Sequence, residues 1–142
     1  MVTISKEFRW EMGHRLPGHP LCQNVHGHSY RLVVEIQGEA DDSGMVVDFG
    51  EVASIVRPLV DQLDHSFMLD PDDAVMRRVL EEHGLKTTRV PFRSTAENIA
   101  RWFLDRVGPH LLAKPTVSAV AVTVHETATS LATVRAGRPE PA

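Results

Sequence analysis

Apolar and polar residues alternate over residues 2–12 (VTISKEFRWEM). Ile4, Phe8, Trp10 and Met12 share one parity, interrupted only by Lys6, while Arg9 and Glu11 take the other. A period of two is the signature of a strand buried on one side. Residues 15–25 (RLPGHPLCQNV) carry two prolines and a glycine and read as a loop. Alternation returns from Ser29 to Gln37, with Tyr30, Leu32, Val34 and Ile36 on one face and Arg31, Val33, Glu35 and Gln37 on the other. After the turn GEADDSG, the run MVVDF (45–49) reads as a short second arm of the same ladder.

The period then changes. Val52, Ile55, Val56, Leu59, Val60 and Leu63 follow helical spacing, with Pro58 inside the window predicting a kink or an early break. A second helix is expected from Pro71 to about His83, with Asp70 as its cap and Gly84 just past its end. Ser94-Thr95-Ala96-Glu97 has the form of a capping box and opens a third helix through about Val107, whose apolar face is Ile99, Trp102, Phe103 and Val107. Residues 117–126 (VSAVAVTVHE) form the clearest strand in the chain, and 129–134 are placed beside it. The predicted order β-β-α-α-α-β-β implies one α+β domain over residues 1–134 with an antiparallel sheet. The polar, proline-bearing stretch 135–142 is expected to be a frayed tail.

Composition narrows the function classes. With 142 residues, 42% hydrophobic and 24% charged, the chain suits one ordinary soluble core. A formal net charge of −4 with scattered basic residues argues against nucleic acid as a partner. No apolar run approaches the ~20 residues of a membrane span, and the N-terminus has no signal-peptide core, so no membrane partner and a cytoplasmic location are expected. Cys22 is the only cysteine, which excludes an intramolecular disulfide and fits a reducing compartment. A lone cysteine is commonly a small buried apolar residue, and reactivity has to come from its neighbours.

Chemistry concentrates in the histidines. In an extended backbone His26 and His28 point to the same side, about 6.5–7 Å apart along the strand, and Gly27 leaves the opposite side clear. Such a pair also occurs by chance on surfaces. Parity adds weight: His26 and His28 continue the face of Tyr30 and Leu32, and His14 continues that of Trp10 and Met12. If these strands pair, three imidazoles converge on one apolar side, where burying them without a partner is costly and a metal would relieve the cost. Three nitrogens with an open position match a catalytic zinc site, whereas closed structural sites normally need several cysteines. Asp64-His65 has two readings, a solvated helix end or a histidine poised for proton transfer beside a carboxylate. Glu126 likewise is either a buried acid continuing the face of Val120, Val122 and Val124, or an acid in water beyond the strand. A buried Glu126 would suit a guanidine-like edge that offers two parallel N–H donors. Glu97 is accounted for by the capping box.

Taken in order, His14, the C-x-x-x-H-x-H run from Cys22 to His28, GMVVDF (44–49), LDH (63–65), STAEN (94–98) and HET (125–127) resemble the 6-pyruvoyltetrahydropterin synthase and 6-carboxytetrahydropterin synthase family over almost the whole chain. The resemblance implies a T-fold: a four-stranded antiparallel sheet with helices on one face, closing into a barrel in trimers or hexamers with active sites between subunits. It implies zinc on His14, His26 and His28, Cys22 as the base, Asp64 and His65 as its relay, and Glu126 as the pterin anchor and a further relay candidate. Thr95 falls in the pterin-pocket motif. Three residues between Cys22 and His26 look like the carboxytetrahydropterin type. The expected reaction is therefore conversion of 7,8-dihydroneopterin triphosphate to 6-carboxytetrahydropterin with loss of acetaldehyde and triphosphate, toward queuosine-type deazapurines. The pyruvoyl product, a folate-directed product and a non-catalytic zinc or pterin binder are the alternatives. Two departures from the family pattern stand out: Glu11-Met12-Gly13 replaces the common small alanines before His14, and the segment 70–93 is longer than in compact members.

Overall fold

A computed structural model describes residues 1–138. The two long alternating segments form strands β1 (Val2–His14) and β2 (His26–Gly38). They pair antiparallel from Val2 opposite Gly38 to His14 opposite His26 without a break. Helix α1 (Phe49–Leu63), strand β3 (Ser66–Leu69), helix α2 (Ala74–His83), strand β4 (Thr87–Arg89), helix α3 (Ala96–Leu112), and strands β5 (Val117–His125) and β6 (Leu131–Gly137) follow. The sheet has six strands in the order β4-β3-β1-β2-β5-β6. It is mixed, because β3 runs parallel to β1 and β4 parallel to β3.

The predicted four-stranded antiparallel sheet is thus its larger part but not the whole. β3 has four buried residues in succession and β4 only three residues, so neither has a usable period. The parallel additions follow from their connections, since β3 returns through helix α1 and β4 through helix α2. MVVDF is not a strand. Asp41 closes a turn by accepting from the Ser43 N–H at 2.8 Å, Val46 and Val47 enter the core consecutively, and Asp48 caps α1 by accepting from the Gly50 N–H at 2.7 Å. Gly38 ends β2 where a side chain would run into the Thr116 carbonyl.

Both prolines lie inside helices that continue past them. Pro58 and Ser54, four residues earlier, are exposed on α1, and Pro109 and Asp105 stand the same way on α3. The carbonyl deprived of its N–H partner faces water in each case, so the ladder tolerates the gap. The predicted cap of the second helix shifts from Asp70 to Asp73, whose carboxylate accepts from the Met76 N–H at 3.1 Å. Thr95 rather than Ser94 caps α3, accepting from the Asn98 N–H at 3.2 Å. Gly84 does end α2, in the left-handed conformation (φ 61°). Strand β6 runs through Gly137, so residues 135–137 of the expected tail are paired with β5, and 139–142 lie outside the described residues.

The core lies between the sheet and helices α1 and α3, built from Phe8, Trp10, Met12, Tyr30, Leu32, Val34 and Ile36 on the strands and from Val56, Ile99 and Phe103 on the helices. Helix α2 departs from the one-face expectation. Its Met76 and Leu80 pack with Phe67 and Leu69, which alternate with the core residue Met68 along β3. Leu32 has no solvent exposure at the centre of the paired strands. Leu32→Ala is expected to destabilise the fold by about 2–5 kcal/mol, read as a lower midpoint in equilibrium urea unfolding.

Candidate active site

The β1–β2 register places His14 directly opposite His26, with His28 opposite Met12 and on the same face. Ring centroids lie 4.7 Å apart for His14–His26, 5.1 Å for His14–His28 and 4.9 Å for His26–His28. One ring nitrogen from each lies within 4.8 Å of the other two, a set that could hold a metal ion. The histidines belong to the strands themselves, since β2 starts at His26 rather than at the predicted Ser29.

Hydrogen bonds decide which nitrogens are free. His14 is fully buried, and its Nδ1 lies 2.9 Å from the Ser94 carbonyl and 3.1 Å from the Ser94 hydroxyl. A carbonyl only accepts, so Nδ1 carries the proton and Nε2 keeps its lone pair, without a partner. Burial first, and then the neighbouring His26, lower the His14 pKa to about 4, so the ring is neutral at pH 7. His26 Nδ1 donates to the Asn24 carbonyl at 2.7 Å, which also leaves Nε2 free. His28 Nε2 stands 3.2 Å from Glu126 Oε1 without an aligned hydrogen bond. Burial lowers the His28 pKa, and Glu126 opposes that shift. A buried imidazole with an unpartnered nitrogen at His14, clustered with the ring nitrogens of His26 and His28, suits a metal and fits poorly with any purely apolar packing role.

Tyr30 forms the floor of this site. It stacks on Trp10 at 5.0 Å between centroids and meets His14 and His28 edge-on. Its buried hydroxyl has no partner, and burial, followed by Glu126, pushes its pKa up. Tyr30 and Ser94 both contact the histidines, yet the sequence marked them only as a core residue and a helix-cap residue.

The remaining predicted residues divide into groups. Cys22 lies half-buried in the loop joining the strands. Its N–H donates to His19 Nδ1 at 2.9 Å and its carbonyl accepts from the Leu16 N–H at 2.7 Å. Arg15 braces that loop, with Nε and Nη2 on the Asp73 carboxylate at 2.7 and 3.0 Å and Nη1 on the Gln23 carbonyl at 3.2 Å. Glu126, half-buried just past β5, joins the triad through His28. Thr95 follows Ser94, but its hydroxyl is engaged in capping α3.

Asp64 and His65 do contact each other, Oδ1 to Nδ1 at 3.0 Å. The Glu11 N–H donates to Asp64 Oδ1 at 2.9 Å and, with His65, holds the carboxyl below the usual range. His65 adopts φ 58°, uncommon for a residue with a side chain, and its N–H donates to the Glu11 carbonyl at 2.7 Å. Its side chain is 77% exposed over a cleft of about 420 Å³ shared with Glu11, Gly13, His28 and Ser29. A second cleft places His28 and Glu126 with Arg9, Arg31 and His125.

Known proteins match this chain along its length. The sequence model for 6-pyruvoyl tetrahydropterin synthase matches residues 3–137. A Haemophilus influenzae protein named 6-carboxy-5,6,7,8-tetrahydropterin synthase is 44% identical over 116 residues, covering 75% of this chain and 82% of the relative. An Aquifex aeolicus protein of the same name is 35% identical over 153 aligned positions, covering 91% and 94%. Among solved structures, a catalytic-residue mutant of Plasmodium vivax 6-pyruvoyltetrahydropterin synthase superposes with a TM-score of 0.79 at 21% identity, covering 96% of this chain and 98% of that one. The Caenorhabditis elegans 6-pyruvoyl tetrahydropterin synthase gives 0.69 at 25% identity, covering 96% of each chain. A match that runs from the first strand to the last, across the sheet that sets the histidines together, places this chain in the 6-pyruvoyl tetrahydropterin synthase family.

Proposed function

We propose that this chain converts 7,8-dihydroneopterin triphosphate and water to 6-carboxy-5,6,7,8-tetrahydropterin, acetaldehyde and triphosphate, a lyase reaction leading toward queuosine-type deazapurines. The observation that carries the reading is the triad of histidines with one ring nitrogen each within 4.8 Å of the others, in a chain 44% identical to a relative named for that product. The three-residue spacing between Cys22 and His26 agrees with it.

His14, His26 and His28 would hold zinc, an ion suited to nitrogen ligands with one position left open. When bound, zinc supplies Lewis acidity toward the oxygens of the substrate side chain. Cys22 removes a side-chain proton, and Asp64 with His65 relays it. The 3.0 Å contact fixes the orientation of His65, and Asp64 stays ionised beside it. Glu126 accepts the paired N–H groups of the pterin ring, turning from His28 toward the substrate. Thr95 has a smaller part, holding the start of α3 at the pocket wall.

The relay favours an oligomer. His65 is 77% exposed in an open cleft that it shares with Glu11, Met12, His28 and Ser29, leaving a face for a neighbouring subunit to cover. A trimer or hexamer in which one subunit's His65 serves its neighbour's triad would close that cleft. No helix of the described residues is long and apolar enough to cross a membrane. A thiol that must stay reduced to act as a base suits the cytoplasm.

Incubation of the zinc-loaded protein with 7,8-dihydroneopterin triphosphate is expected to yield acetaldehyde and the carboxypterin in equal amounts. The pyruvoyl compound or a hydroxymethylpterin as sole product would overturn the assignment, and no product would favour a binder. Cys22→Ala should abolish turnover while keeping its metal by elemental analysis, and His26→Ala should lose the metal. Retention of metal by His26→Ala would remove the triad from the site.

Acid should weaken the metal-free protein. The His14 pKa falls to about 4 in the fold against about 6.5 unfolded, so between those values the unfolded chain binds the extra proton. The stabilisation is complete above pH 6.5 and is lost as the pH falls toward 4, on the order of 3 kcal/mol. Urea midpoints across that range should fall for the wild type and fall less for His14→Gln.

A further inference from the structure

We infer that Asp70 is a positioning residue for the metal centre: its carboxylate grips the peptide of Ser94, whose carbonyl holds His14 in the tautomer that leaves Nε2 free. The inference rests on the triad's reading as a metal site and goes beyond it by giving the long 70–93 segment a task.

Asp70 is almost fully buried, at 5% exposure, and does not cap α2, a task that Asp73 performs. Its Oδ1 accepts the Ser94 N–H at 3.0 Å, and its Oδ2 has no partner. Burying a carboxylate so sparingly bonded is costly, so the site retains it against a considerable penalty. The Ser94 backbone it holds presents the residue's carbonyl to His14 Nδ1 at 2.9 Å, and the Ser94 hydroxyl lies 3.1 Å from the same nitrogen. Ser94 therefore meets Asp70 with its N–H and directs His14 with its carbonyl, one residue linking the two through adjacent peptide groups.

The turn from Asp70 to Asp73 is also fastened to the other side of His14. Asp73 donates its N–H to the Asp70 carbonyl at 3.3 Å, and its carboxylate takes both Nε and Nη2 of Arg15, the residue after His14. His14 is thus held at its ring through Asp70 and Ser94, and at its following residue through Asp73. Outer hydrogen-bond partners of this kind set the tautomer and ring orientation of metal-binding histidines, and their loss typically weakens metal binding 10–100-fold.

Zinc affinity, measured by chelator competition on the purified full chain, separates the possibilities. Asp70→Ala is expected to weaken zinc binding about 10–100-fold, and Asp70→Asn, which keeps an oxygen to accept the Ser94 N–H, to recover to within about threefold of wild type. Wild-type affinity in Asp70→Ala would overturn the inference, as would an Asp70→Asn variant as weak as Asp70→Ala. A merely structural role would lower the unfolding midpoint and leave zinc affinity in place. Should Asp70→Ala not fold, nitrogen NMR of the metal-free wild type remains decisive: His14 protonated at Nδ1 is expected, and protonation at Nε2 would overturn the inference. Wild-type zinc affinity in His26→Ala would instead sink the metal reading itself, whatever Asp70 does.

Discussion

The antiparallel pairing of β1 with β2 is the constraint on which the rest of the molecule depends. Its register runs unbroken from Val2–Gly38 to His14–His26. Because side chains alternate, one choice of register decides both the core and the site: Phe8, Trp10, Tyr30 and Leu32 point to the helices, and so do His14, His26 and His28. A slip of one residue would turn the imidazoles and the core residues to the opposite face together. The hydrophobic effect that fixes the register thereby also fixes the separation of the histidines, without any dedicated interaction among them.

The site then inherits its electrostatics from the core that made it. The imidazoles continue an apolar face, so burial drives His14 toward its neutral form and His28 in the same direction. Neutral rings can share one small space, where three charged ones could not. Each of two rings also has a backbone carbonyl on Nδ1, Ser94 for His14 and Asn24 for His26, so tautomer as well as charge is fixed before any ligand arrives. Glu126 provides the opposing charge. It stands 3.2 Å from His28, near enough to orient the ring and still 23% exposed, where a substrate could engage it.

What could be read from the sequence follows from the same physics. The long strands carry enough alternations to display a period, and parity alone extends that period to all three histidines. Strand β3 buries Ser66, Phe67, Met68 and Leu69 in succession because helix packing covers both of its faces, so it has no alternation to detect. MVVDF misleads for the reverse reason: valines that favour strands serve here as a core plug ahead of a cap, and tertiary packing overrides propensity. The Asp64–His65 contact was also hidden, since adjacent residues meet only when the backbone bends sharply, and the left-handed conformation of His65 supplies that bend. Ser94 and Asp70 were assigned to helix caps, the commoner use of such residues, and long-range contacts of this sort leave no local pattern.

Gly13 and Gly27 show how closely the sheet is packed beside the histidines. They face each other across β1 and β2, between the paired histidines and the next pair, Met12 and His28. Their missing side chains would project away from the triad. At Gly27 a Cβ would come within 3.0 Å of the Met12 carbonyl, and at Gly13 within 3.3 Å of the Phe67 ring. At Gly13 the missing side chain leaves room for the Phe67 ring of β3, whose neighbour Ser66 comes into register with Met12, with His65 just before it. A larger residue at Gly13 would press on Phe67 and on the strand that follows Asp64 and His65. Bare backbone at this one step lets the pairing that aligns the histidines continue sideways into β3, so one glycine position serves both the register of the long strands and the approach of the next one.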